Sequence, residues 1–127
     1  MIPMIGTPGR SLLIVDDHAP FRRFARSLLS ADGFDVRGES EDGESAIEDV
    51  QRLHPDLVLL DVQLPGIDGF EVAERLHELN DAPGVILTSS RDAADYGSRL
   101  DDAHVLGFVP KFELSGAALD ALTAKLG

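Results

Sequence analysis

The sequence predicts a doubly wound α/β fold, with five parallel strands in one sheet and helices packed on both faces. Three observations carry that reading. Four short apolar runs are continuous rather than alternating, as in strands buried on both faces of a parallel sheet. Between them the apolar spacing switches to a helical period. Strand and helix alternate five times at about 22–25 residues per unit, and such alternation with right-handed crossovers gives a doubly wound sheet.

The elements follow in order. Leu12 to Val15 is the first run. Pro20 suits the first turn of a helix, and Phe21, Phe24, Ala25, Leu28 and Leu29 make one apolar stripe, with Arg22, Arg23 and Arg26 on the other face. Ala31-Asp32-Gly33 ends that helix. Phe34-Asp35-Val36-Arg37 alternates and predicts a strand with one wetter side. Ala46, Ile47, Val50 and Leu53 form the second helical stripe, and Leu57 to Leu60 the next strand. Pro65-Gly66 and Asp68-Gly69 punctuate a loop before the stripe of Val72, Ala73, Leu76 and Leu79. Pro83-Gly84 precedes the strand Val85 to Leu87. Arg91 to Asp102 predicts a short, marginal helix through Ala93, Ala94, Tyr96 and Leu100, weakened by Gly97 and the acidic residues. Phe108 with Val109 is the last strand, and Ala118, Leu119, Leu122 and Leu126 form a closing helix that runs to the chain end. The 127 residues fit one domain against a usual size of roughly 100–200. Residues 1–10 read as a tail and 11–127 as the domain.

Composition narrows the function. Eleven Lys plus Arg against 23 Asp plus Glu leave a formal charge of −12. That balance argues against nucleic acid or an anionic membrane as a direct partner, because phosphate binding needs a cationic face. There is no cysteine, so disulfides, thiolate zinc sites and cysteine nucleophiles are excluded. MIPMIGTPGR lacks the apolar core of a secretion signal, and no apolar run approaches the ~18–20 residues that span a bilayer. The expectation is a cytoplasmic protein.

In open parallel sheets, ligands sit outside the carboxyl ends of the strands. Asp16-Asp17 ends the first strand, Asp61 the third and Thr88-Ser89-Ser90 the fourth, and Lys111 follows the fifth through Pro110. Alone, each has a bland role: an Asp after a strand is commonly a turn former or helix cap, and a lone Lys there is usually solvated. Together they bring three carboxylates, a hydroxyl and an ammonium to one edge. Like charges ~4 Å apart repel by ~1 kcal/mol in water and ~4 at an effective dielectric of 20. One Lys cannot neutralise three carboxylates. A hard cation with oxygen ligands is the natural remedy, and Mg²⁺ takes one or two carboxylates, waters and a phosphate oxygen. Such a site suits a phosphoryl group, arriving on a substrate or transferred to an Asp. His18, His54, His77 and His104 fall at no metal-ligand spacing and read as surface or cap residues, although His18 adjoins the acidic pair.

LLIVDDHAPFRR, DLVLLDVQLPGIDGFEV, VILTSS and GFVPK, in that order and spacing, resemble the receiver domain of bacterial two-component response regulators. The resemblance covers roughly Ser11 to Leu126 and implies a flavodoxin-like receiver fold. It implies that Asp61 is the phosphoacceptor, phosphorylated from a histidine kinase or a histidine phosphotransfer protein. It further implies that Asp17 and Asp61 ligate Mg²⁺ directly, Asp16 through water, and the main-chain carbonyl of Gln63 completes the protein's share. Thr88 and Lys111 would contact phosphoryl oxygens, and Phe108 would be the switch aromatic. The result would be a non-enzymatic switch whose surface docks a downstream protein target. In the family the Lys is usually followed by Pro; Phe112 stands here, and a trans Lys111–Phe112 bond is expected. The switch position lacks a hydroxyl, and His104 stands where a small residue is usual before the fifth strand. Other readings are a receiver cut from a DNA-binding regulator, a degenerate receiver serving as an interaction module, and a small Mg²⁺-dependent aspartyl-phosphate phosphatase. The last wants an Asp-x-Asp pair, and Asp61-Val62-Gln63 lacks the second Asp. A flavodoxin-like cofactor binder would want a Ser/Thr/Gly-rich phosphate loop where DDHAP stands.

Overall fold

The computed structural model describes residues 10–124. The five strands are β1 (Ser11–Val15), β2 (Asp35–Ser40), β3 (Leu57–Asp61), β4 (Gly84–Ser89) and β5 (Gly107–Pro110). They form one parallel sheet in the order β2-β1-β3-β4-β5. The helices are α1 (Ala19–Ala31), α2 (Gly43–Leu53), α3 (Gly69–His77), α4 (Ser98–Asp102) and α5 (Gly116–Thr123). The order reverses at β1, between β2 and β3, so the carboxyl ends of β1 and β3 flank the switch point where such sheets hold ligands.

The continuous apolar runs are buried on both sides because successive side chains serve opposite faces. Leu13, Val15, Val58, Leu60, Val85 and Leu87 pack with Ala46, Val50, Val72, Ala73 and Leu76 of α2 and α3. Leu12, Ile14, Leu57, Leu59 and Ile86 pack with Ala25 and Leu29 of α1 and Leu119 of α5. Each fully buried Leu or Ile contributes about 1.5–3 kcal/mol relative to an exposed one, which makes the three central strands a rigid base for whatever sits at their ends.

Side-chain caps set where the helices begin. Asp42 accepts from the Ser45 N–H at 2.8 Å, Asp68 from the Glu71 N–H at 3.0 Å and Ser115 from the Ala118 N–H at 3.0 Å. The second strand runs three residues past the alternating Phe34–Arg37 segment, to Ser40, and Phe34 itself is a buried residue just before it. Leu79 lies beyond the end of α3 but still packs on the core. Leu126 and the tail up to residue 9 lie outside the described residues.

The single marginal helix over Arg91–Asp102 is instead two pieces: a 3₁₀ turn at Ala93–Asp95 and the five-residue α4. Gly97 at φ +55 separates them, a left-handed backbone that glycine adopts without the Cβ penalty and that no continuous helix permits. At the next strand, Gly107 supplies the small residue: a Cβ there would lie 2.6 Å from Leu122 Cδ2. His104 is placed in the preceding loop and stacks on His77, ring centroids 3.9 Å apart. The Lys111–Phe112 peptide is trans, as expected.

Candidate functional site

The polar residues collect at one end of the sheet because β1 and β3 are adjacent and end level with one another, Val15 opposite Leu60. The residues that follow, Asp16 and Asp61, therefore leave the sheet side by side. Asp16 continues the ladder, its N–H donating to Ser40 O at 3.0 Å, and its side chain is fully buried. Its Oδ1 accepts from the His18 main-chain N–H at 2.8 Å, a local turn that fixes the carboxylate. Asp61 is 2% exposed and its Oδ1 accepts from the Gln63 N–H at 3.1 Å. Beyond it the loop folds back onto the strand end, where Gly69 N donates to Val62 O at 2.8 Å. A Cβ on Gly69 would lie 2.5 Å from Asp61 O and 2.7 Å from Val62 Cα, so only glycine allows that approach.

Lys111 enters from the end of β5. Its Nζ lies 2.6 Å from Asp16 Oδ2 and 3.5 Å from Asp61 Oδ2, and its stem brings the ammonium over the Phe21 ring, 4.3 Å from the centroid. Asp16 Oδ2 still has no hydrogen bond; the Lys111 contact supplies charge without the alignment of one. Asp17 and His18 close the outer side. The His18 Nδ1 lies 3.3 Å from Asp16 Oδ1 and 3.2 Å from Asp17 Oδ1.

The electrostatics follow from this packing. Burial pushes the Asp61 carboxyl up from 3.8 to about 6, and the neighbouring Asp16 charge pushes the same way. The Gln63 N–H and the Lys111 ammonium oppose the rise without cancelling it. The site is thus short of positive charge, as the sequence arithmetic requires. One donor atom from each of Asp16, Asp17, His18 and Asp61 can be chosen so that all lie within 4.8 Å of one another. With two buried carboxylates among them and a single ammonium to offset their charge, this donor set fits a divalent cation.

The remaining sequence-predicted residues fall around this centre. Thr88 sits opposite Asp61 in the β3–β4 register, but its Oγ1 donates to Val109 O at 2.6 Å. Gln63 is exposed and contributes its N–H to Asp61. Phe108 is half-buried, its ring 5.9 Å from that of Tyr96.

Four participants were not legible as such. Arg22, placed on the outer face of α1 by the helical period, turns inward: Nη1 donates to Asp16 O at 2.5 Å and Nε to Glu39 Oε1 at 3.1 Å. Arg26 Nε donates to Glu39 Oε2 at 2.7 Å, so one carboxylate holds both guanidinium groups. Glu39 is the only signal for this, and it becomes meaningful only once β2 is known to lie beside β1. Tyr96, whose ring lies 5.9 Å from that of Phe108, supplies a hydroxyl 2.6 Å from Ser89 Oγ. His18 is the exposed N-cap residue of α1, as expected, but its ring faces the acidic cluster and makes no capping hydrogen bond.

Comparison with known proteins agrees with this arrangement. A sequence model of the response regulator receiver domain matches residues 12–122. The DNA-binding transcriptional activator EvgA of Escherichia coli K12 is 33% identical over 112 residues, which is 88% of this chain and 55% of EvgA. Protein-glutamate methylesterase/protein-glutamine glutaminase 4 of Geobacter metallireducens is 40% identical over 88 residues, 68% of this chain and 25% of that protein. This chain spans about half the length, or less, of the curated relatives it matches. Among solved structures, the signal receiver domain of NarL from Mycobacterium tuberculosis superposes with a TM-score of 0.79 at 31% identity, covering 92% of this chain and 98% of that one. Sheet order, a site at the switch point and a family match over nearly the whole described length lead to one conclusion: the chain belongs to the response regulator receiver domain family.

Proposed function

We propose that Asp61 is the residue this receiver phosphorylates, and that the modification switches the surface around α4 and β5. The observation that carries the reading is the meeting of a buried Asp61 with Asp16 and Lys111 at the ends of three different strands. No stability argument explains it, since burial and like charge both disfavour ionised Asp61. In the transfer, an Asp61 carboxylate oxygen forms a bond to phosphorus while the bond from phosphorus to the imidazole nitrogen of a phosphohistidine donor breaks. The electron pair returns to the imidazole.

Asp16, Asp17, Asp61 and the Gln63 main-chain carbonyl would hold Mg²⁺, whose chemistry there is neutralisation of charge on the phosphoryl oxygens. Asp16 is positioned for this from behind by Arg22, and Lys111 bridges from Asp16 toward Asp61. Phosphorylation adds about one negative charge and three strong acceptor oxygens. Those oxygens compete for the Thr88 hydroxyl, now committed to Val109 O. Movement of Thr88 leaves space that Phe108 can fill, and Phe108 touches Tyr96, the anchor of the segment before α4. The two positions of that segment are a population shift, biased by the phosphoryl group.

The donor on this reading is a histidine kinase or histidine phosphotransfer protein, and the recipient of the switch is a protein. The span of this chain relative to its relatives favours a second, compatible reading, in which it is the receiver part of a longer regulator such as the DNA-binding EvgA. The experiment is incubation with acetyl phosphate or phosphoramidate and Mg²⁺, followed by intact mass. One phosphoryl group is expected on the wild type and none on Asp61→Asn. An unmodified wild type, or a modified Asp61→Asn, would refute the assignment.

A further inference from the structure

Among the described residues, the His18 imidazole is partnered only by the acidic cluster, its Nδ1 lying within hydrogen-bond reach of Asp16 Oδ1. His18 stands at the N-cap of α1, yet its side chain makes no capping hydrogen bond, and it is 68% exposed. Its main-chain N–H donates to Asp16 Oδ1 and its carbonyl accepts from the Arg22 N–H. The ring nevertheless faces the acidic cluster, with Nδ1 at 3.3 Å from Asp16 Oδ1 and 3.2 Å from Asp17 Oδ1. The neighbouring carboxylate Asp16 is fully buried, and its Oδ2 has no hydrogen bond, only the ion pair to Lys111 Nζ at 2.6 Å. By contrast, His104 is taken by Glu74 at 2.6 Å and stacks on His77.

We propose that His18 is an additional protein ligand of the cation site, giving this receiver a preference for nickel-, cobalt- or zinc-like divalent ions over magnesium. The proposal rests on the reading of the Asp16–Asp17–Asp61 cluster as a cation site. Donors about 2.1 Å from a common ion stand about 3.0 Å apart when adjacent in an octahedral shell and about 3.4 Å apart in a tetrahedral one. The two His18–carboxylate distances fall between those values. Carboxylate and carbonyl oxygens are hard donors that serve Mg²⁺, which gains little from an imidazole. The later first-row divalent ions gain from it, following the usual stability order. Because the ring is exposed, a hydrated ion can reach it without any opening of the fold.

The test is calorimetric titration of the untagged full chain with NiCl₂ and, separately, MgCl₂ at pH 7.5. His104→Ala serves as the background so that the stacked imidazoles do not contribute. In that background, His18→Asn is expected to lower Ni²⁺ affinity by about tenfold or more while changing Mg²⁺ affinity less than about threefold. Circular dichroism verifies that both variants are folded. If Ni²⁺ affinity falls no further than Mg²⁺ affinity, His18 does not bind the ion and the proposal is overturned. Asp61→Asn in the same background separates the two levels. If it leaves Mg²⁺ binding unchanged, the cation-site reading fails and this proposal with it; if Mg²⁺ binding falls, only the His18 arm decides.

Discussion

Asp61→Asn is expected to stabilise the metal-free protein. Asp61 is 2% exposed, and burial followed by the Asp16 charge raises its carboxyl from 3.8 to about 6. The folded state therefore holds this proton more tightly than the unfolded chain does. The group's contribution to stability is fully present below about pH 4 and is lost as pH rises through about 6. At about 1.4 kcal/mol for each tenfold change in proton affinity, the rise corresponds to roughly 3 kcal/mol by pH 7.5. An amide keeps the shape and the oxygen that accepts from the Gln63 N–H, and it removes the charge. The attraction to Lys111 at 3.5 Å is already counted in that rise, and burying the amide NH₂ offsets part of it, so the net gain at pH 7.5 is about 1–3 kcal/mol.

Urea unfolding of both proteins in chelator, at pH 7.5 and pH 4.5, measures this. The midpoint of Asp61→Asn should be higher at pH 7.5, and the gap should shrink on acidification, because at low pH the wild type carries a neutral Asp61 as well. Adding Mg²⁺ should narrow the gap at pH 7.5, since an ion that binds only the folded wild type stabilises it by mass action. A variant no more stable than wild type at pH 7.5, or a gap that does not change with pH, would show that Asp61 is not held against its charge.

Three further outcomes follow from the same geometry. Lys111→Met strips the counter-charge from two buried carboxylates and should cost roughly 2–4 kcal/mol at pH 7.5 without metal, read from urea midpoints. Gly69→Ala drives a Cβ into Asp61 O and Val62 Cα; it should destabilise by about 1–3 kcal/mol and slow phosphorylation by acetyl phosphate, followed by intact mass. Tyr96→Phe removes the 2.6 Å contact with Ser89 Oγ; it should cost about 1 kcal/mol and raise amide hydrogen exchange over 93–102 while leaving β1 and β3 protected.

What the sequence reveals depends on how local the deciding physics is. β1, β3 and β4 are legible because burial on both faces demands unbroken apolar runs such as Leu12 to Val15. The convergence of Asp16, Asp17, Asp61 and Lys111 is legible because strand order alone carries strand ends to one rim. The break at Gly97 is harder to read, since glycine in a short helical pattern is compatible with either a weakened helix or a left-handed joint. Pairings across elements are not legible. The helical period puts Arg22 and Arg23 on one outer face, but only Arg22 reaches both Glu39 and Asp16 O. Nor could spacing tell that Lys111 sits nearer Asp16 than Asp61, a difference of 2.6 against 3.5 Å set by side-chain packing over Phe21.

The same uneven packing explains how a small chemical change at a rigid site could move a surface. Asp16 and Asp61 rise from strands whose side chains are nearly all fully buried, and Asp16 is braced by Arg22. The segment before α4 has no buried residue, is split by a left-handed glycine, and touches the core through few side chains. Its anchors are the Tyr96 hydroxyl on Ser89, the Tyr96 ring against Phe70 and Phe108, and Arg99 over Phe70 with an ion pair to Asp68. Exposed ion pairs contribute at most about 1 kcal/mol, and one neutral hydrogen bond contributes about 1. Each of these polar anchors is comparable to what a single redirected hydroxyl, Thr88, can shift. On the proposed reading, a rigid acceptor site beside a weakly anchored segment is the division of labour that a phosphorylation switch needs, because the added charge would move α4 before it disturbed the sheet.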